Sequence, residues 1–414
     1  MSNTWVNPTV VAKETLRQLK NNCVMANLVH RGYEGEWQKQ HDGWKPGSSI
    51  RIKAPIYARV KDGATLDVHD INERYLTLTL SYRKHVAVEV TSDEMTYNSE
   101  KGIPRVAEAA AQALGEYIDQ TLLGLYKTVP NQVGTPGITP KDFLSLALCN
   151  ARMSDYSVPV DNRRLVVNPT AQAYIANELK NLYNPAMVGP AVEKMKFATL
   201  AGMDCFVSQN VNMHTCGTAA GVAALAIDAT APVEGATSLT IDNGSGDWTT
   251  TLKQGDIFTS AASYGVNPVT GANTGHLRQF CIDADVTDAG TEATVTCTPG
   301  TDPHKIYSAS ATEKFLPYQT VTVLPAENDV VSVAGTASLV HPVNLGFHRD
   351  AFALCMVPLA VPDSVSWKGT ASYEGFSIRV IKDYDVTNDK EVIRFDVLFA
   401  ADAINRMLAC RLAG

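Results

Sequence analysis

The 414 residues carry a formal charge of −8, with 45% apolar and 19% charged side chains, which excludes a disordered chain and leaves room for two or three domains. No apolar run approaches the roughly 18 residues that cross a bilayer, and no basic face of the kind nucleic-acid readers need stands out. The eight cysteines are scattered without a C-x-x-C pair, which predicts reduced thiols.

The opening MSNTWVNPTVVAKETLRQLK lacks the charged start and apolar core of a secretory signal. From Pro8 to about Met25, the spacing of Val11, Thr15, Leu19, Cys23 and Ala26 predicts a short amphipathic helix. Period-two alternation follows at Ile50, Ile52 and Ala54, at Leu76, Leu78 and Leu80, and at Val86, Val88 and Val90. Bounded by Pro46-Gly47 and Asp62-Gly63, these runs predict long strands folded into a hairpin. The many Arg and Lys residues among them point to an exposed ribbon.

From Gly102 the period changes to that of a helix. Pro104 suits a first turn, and Val106, Ala110, Leu114, Ile118, Leu122 and Leu125 mark one face of a helix about seven turns long. Thr139-Pro140 and Asn168-Pro169 are start signals for two shorter helices, and RRLVVNP between them reads as a buried strand. Residues 217–341 lack any helical period. Runs such as TSLTI, RQFCIDADV, EATVTCTP and YQTVTVLP, separated by Gly, Pro and Asn, predict an all-β module. Thirteen acids and four bases give that segment −9, so the rest of the chain carries +1. Near the end, Ile378 and Val380 and then Val392, Phe395 and Val397 predict two strands around Thr387-Asn388-Asp389, followed by a short terminal helix. The whole reads as an α+β protein interrupted by a β-insert.

The search for chemistry finds no site. His348-Arg349-Asp350 has the form of a kinase catalytic triplet, but Cys355 stands where that loop needs an Asn, and no phosphate loop or Asp-Phe-Gly accompanies it. The nine histidines form no helical i, i+4 ligand pair. Asp283, Asp285 and Asp288 lack the Gly and distal Glu of a calcium loop. No catalytic, cofactor-binding or metal-binding residue is nominated. Arg349 and Asp350 instead read as contacts at a buried or inter-subunit seam. Extended ribbons expose surface that neighbouring subunits cover, which makes Arg51, Lys53 and Arg59 candidate inter-subunit contacts.

RLVVNPTAQAYIANELKN, then KFATLAGMDCFVSQNVNMHTCGT, and later LGFHRDAFALCMVPL resemble ordered segments of the phage P22-type major capsid (coat) protein family. The resemblance covers nearly the whole chain. It implies an HK97-type capsid fold with an N-arm at 1–42, an E-loop at about 43–90 and a P-domain with the spine helix at 91–127. The A-domain would take 128–216 and 342–370, the insertion (I) domain 217–341, and the C-terminal P-domain strands and helix 371–414. It also implies a shell of hexamers and pentamers, built in the host cytoplasm with scaffolding and portal proteins. That shell would enclose DNA without reading its sequence, with no membrane and no cofactor. Two other readings stand beside it: an encapsulin-like compartment holding cargo protein, and an enzyme whose unrecognised site lies in the β-module.

Overall fold

The computed structural model describes residues 8–38, 47–60, 63–64, 73–91, 102–179, 199–222, 225–228, 232–242, 250–287, 292–297, 305–312, 314–365 and 367–413. In chain order, α1 (Pro8–Asn22) and a 3-10 turn (Met25–Asn27) precede α2 (Glu34–Gln38), β1 (Ser49–Lys53), β2 (Tyr75–Thr79), β3 (Tyr82–Thr91) and α3 (Gly102–Leu123). Next come β4 (Gln132–Val133), α4 (Phe143–Asp155), β5 (Arg163–Val167), α5 (Pro169–Leu179), β6 (Thr199–Leu200), β7 (Met203–Val207) and β8 (Met213–Thr215). The insert holds β9 (Ala226–Ile227), β10 (Ser238–Asp242), β11 (Ile257–Val266), β12 (Asn273–Cys281), β13 (Glu292–Thr296) and β14 (Val331–Val333). The chain closes with β15 (Val340–Pro342), β16 (Asn344–His348), β17 (Phe352–Met356), β18 (Trp367–Tyr373), β19 (Phe376–Asp385), β20 (Lys390–Ala403) and β21 (Ala409–Leu412).

Two compact units result. The first takes Met1–Ile50, Thr77–Leu122 and Phe352–Asp402. Its sheet runs β17-β20-β19-β18, and β3 pairs antiparallel with β20. Strand β20 can be central because Ile393, Phe395, Val397 and Phe399 recur at period two and are all buried. Helix α1 packs on β18 and β19 through Val11, Ala12, Leu16 and Leu19. Gly369 permits the close approach, since a Cβ there would meet the carbonyl oxygen of Pro8 at 2.6 Å. Of the stripe the sequence predicts, Ala110, Leu114, Ile118 and Leu122 of α3 are buried, Val106 is half-buried, and Leu125 falls in the 3-10 turn (Gly124–Thr128) that follows the helix.

The second unit takes Arg51–Leu76, Leu123–Ala351 and Ala403–Gly414. A six-stranded mixed sheet runs β4-β21-β16-β5-β7-β6. Leu146, Cys149 and Met153 of α4 and Ile175 of α5 share a core with Leu165, Val167, Cys410 and Leu412 of that sheet. The insert contains two three-stranded sheets, β13-β10-β9 and β12-β11-β14, around a core that includes Leu239, Ile241, Phe258, Phe280 and Val295. Strands β8 and β15, which lead into and out of the insert, pair antiparallel with His341 opposite His214.

Several expectations change. The terminal helix is absent: a 3-10 turn (Arg406–Leu408) leads into β21, which pairs parallel with β4 and antiparallel with β16. Ala409, Cys410, Arg411 and Leu412 are all buried there, so non-local pairing overrides local helix preference. The third alternating run leaves the ribbon and joins β20. Helix α4 begins three residues later than Thr139-Pro140 indicates, behind Asp142, whereas Asn168 does cap α5 through a 2.9 Å bond from the Ala171 amide. The run YQTVTVLP forms a 3-10 turn and an isolated bridge at Val321 in place of a strand. The turn residues Pro46 and Asp62, and the acid Asp288, lie outside the described residues.

Candidate functional site

The ribbon places its basic residues by pleat alternation. Ile52 and Ala54 point inward and are buried, so Arg51 and Lys53 point outward and are exposed. Lys53 Nζ lies 3.2 Å from Glu73 Oε2, an exposed pair of small energetic weight. Arg59 differs. Its Nη2 donates to Gln319 Oε1 at 2.8 Å within the same unit, so the chain itself already holds this side chain.

The proposed seam residues lie on a turn. Arg349 and Asp350 occupy an exposed 3-10 turn (Arg349–Ala351) between β16 and β17. The Asp350 side chain is 55% exposed and lies 3.8 Å from His348 Nδ1. Within the single chain both side chains are exposed, and the buried member of the triplet is His348, whose imidazole pKa burial pushes below the usual value. The apolar run after the triplet is strand β17, which belongs to the first unit, so the triplet marks where the chain passes from one unit to the other.

What holds the insert's root was not visible in sequence. His214 on β8 sits between two partners: its Nδ1 is 3.0 Å from the Tyr126 hydroxyl, and its Nε2 is 2.9 Å from Asp256 Oδ1. Asp256 Oδ2 also accepts from the Gly217 and Lys253 amides at 3.0 and 2.8 Å. Opposite stands His341, whose Nδ1 lies 3.9 Å from Cys216 Sγ. Arg411 of β21 closes the cluster, donating from Nη1 to the Gly255 carbonyl at 2.5 Å and stacking on Tyr126. Gly217 fits only because it lacks a side chain, for a Cβ would lie 2.1 Å from the Thr251 carbonyl oxygen. Burial, with His214 and Arg411 beside it, pushes the His341 pKa down to about 4. Burial, with Asp256 nearby, pushes Cys216 up to about 11. The signal was a histidine on each flank of the insert, yet they lie so far apart in sequence that only strand pairing unites them.

His214, Cys216 and Asp256 offer ligand atoms within 4.8 Å of one another, the donor types of a zinc site. The hydrogen bonds already satisfy His214 and Asp256, so the cluster works as a buried polar clasp. All eight cysteines are free thiols, as their scattered spacing predicts. Among the described residues, no helix is long and apolar enough to cross a membrane. The outer surface carries apolar residues in groups: Phe143, Leu144 and Leu148 are all exposed on one side of α4.

Comparison with known proteins gives a coherent set. Residues 1–414 match the family model described as P22 coat protein, gene protein 5. A major capsid protein from Acyrthosiphon pisum secondary endosymbiont phage 1 is 37% identical over 93 residues. That match spans 22% of this chain and only 22% of the curated relative's length. Among solved structures, the chain is similar to one from Mycobacterium phage Che8, with a TM-score of 0.49 at 14% identity over 94% of this chain and 90% of that one. It is also similar to the capsid of Ralstonia phage GP4, with a TM-score of 0.45 at 7% identity over 93% and 87% of the two chains.

Proposed function

Because the chain belongs to the P22 coat protein family, we propose that it is the major structural subunit of a phage shell, with an HK97-type fold and no catalytic role. The observation that carries this reading is the family match over the full length of the chain. The exposed apolar side of α4 and the outward Arg51 and Lys53 on the ribbon support it, because contact surfaces of this kind are covered by neighbouring copies.

In the finer reading, copies of the chain form hexamers and pentamers with scaffolding and portal proteins in the host cytoplasm, and the closed shell encloses double-stranded DNA. The insert, at −9, faces outward, where solvent favours charge, and the remainder, at +1, packs against other subunits. Arg349 and Asp350, exposed in the single chain, are contacts made between subunits. The β8–β15 pair and the His214–Asp256 clasp hold the insert to the strand that carries it.

Sedimentation velocity tests the proposal. The purified chain mixed with its scaffolding protein is expected to form large closed particles from a small starting species. A chain that stays monomeric across concentration, with scaffold present, overturns it.

A further inference from the structure

Within the second unit, a cavity of about 70 Å³ opens between the ribbon's inner end and the insert. Its wall includes Arg74, Arg278, Tyr57, Tyr156 and Tyr318, and none of the described residues lining it is acidic. Arg278 is the anomaly. It is 5% exposed on β12, yet among the described residues the hydrogen-bond acceptor its guanidinium meets is Met407 Sδ, 3.3 Å from both Nη1 and Nη2. Its Nε has no hydrogen-bond partner, and neither has the hydroxyl of Tyr156, a residue 3% exposed whose ring centre lies 5.6 Å from the guanidinium carbon. A thioether is a weak acceptor, and a buried cation without a carboxylate is costly to keep. The Arg74 guanidinium, stacked 3.7 Å from the centre of the Tyr318 ring, adds a second positive group to the same wall.

We propose that this cavity is a binding site for a carboxylate. A planar carboxylate accepts from the guanidinium Nε–H of Arg278 and from the Tyr156 hydroxyl at once, satisfying both buried donors. The volume suits a few waters or one carboxylate head group and excludes a nucleotide or sugar. Two sources share that chemistry: a small organic acid from solution, and an Asp or Glu side chain presented by a second copy of this chain. The insert's excess of acids makes the second source abundant on a shell surface. Only that source rests on the shell reading; the site itself stands without it.

The test uses the full-length, unassembled chain in thermal unfolding, with sodium acetate compared with sodium chloride at equal ionic strength. At about 0.2 M, acetate is expected to raise the Tm by roughly 2–4 °C over chloride. Arg278→Met, which keeps the apolar contact with Met407, is expected to lose that shift, and Tyr156→Phe to reduce it. Because Tyr156→Phe removes a single unpaired oxygen, it folds and keeps the test decisive if Arg278→Met does not. Equal Tm values in the two salts, or an acetate shift unchanged in the variants, overturn the site. Assembled shells distinguish the sources. A shift that disappears on assembly identifies a neighbour's side chain as the occupant, and one that persists identifies the small acid.

Discussion

Two buried titratable residues carry most of what can be tested at the scale of single side chains. His341 is held neutral at the insert's root, facing His214 on β8, Cys216, Asp256 and Arg411 of β21. An unfolded chain protonates this imidazole near pH 6.5, and the folded chain only near 4. Between those values acid therefore favours unfolding, and the contribution of neutral His341 is lost as the pH falls. His341→Gln is expected to flatten the loss of urea stability between pH 6.5 and 4, by up to about 1 kcal/mol per pH unit. An unchanged pH dependence contradicts the assignment. Asp119 on α3 works differently, accepting from the Val24, Met25 and Ala26 amides at 2.5, 3.1 and 3.0 Å and so pinning the 3-10 turn after α1. Asp119→Ala strands three buried amides, an expected loss of about 3 kcal/mol in urea unfolding, whereas Asp119→Asn, which keeps an acceptor oxygen, costs less. Neither residue stood out in the sequence, because each gains its role from partners distant along the chain.

Elements fared according to how local their causes are. The α3 stripe and the alternation in β19 and β20 could be read directly, since a helix or strand that buries one face writes its period into the residues. The β21 segment (Ala409–Leu412) could not, since its strand form comes from pairing with β16 and β4, which lie far away in sequence. Strand β3 alternates as a ribbon strand does, and periodicity does not say which partner it takes. The ribbon residues divide on the same ground. Arg51 and Lys53 face solvent, while Arg59 is engaged with Gln319. Reversing only Arg51 and Lys53 to Glu is therefore expected to lower shell yield several-fold at about 0.05 M salt. The deficit relative to the natural sequence shrinks at about 0.5 M, where screening shortens the reach of exposed charges. Equal yields at both salt concentrations remove the ribbon from the contact.

At the scale of the whole molecule, the two units and the insert divide the work. One unit gathers α1, α3 and the sheet of β17 to β20, and the other gathers the six-stranded sheet and the insert. The acid excess of 217–341 was legible from composition alone, and the short strands of that segment share one core. The triplet His348-Arg349-Asp350 was legible as a landmark, and of the buried and inter-subunit seams the sequence left open, the exposed side chains leave the second. Arg349 and Asp350 lie exposed on a turn where the chain passes from one unit to the other. The central claim is that these parts exist to build a closed shell. Electron microscopy of the purified protein with its scaffolding partner tests that claim most directly. Closed icosahedral particles with the insert as outward density and the ribbon at subunit boundaries are expected, and a field of dispersed monomers would overturn the shell reading.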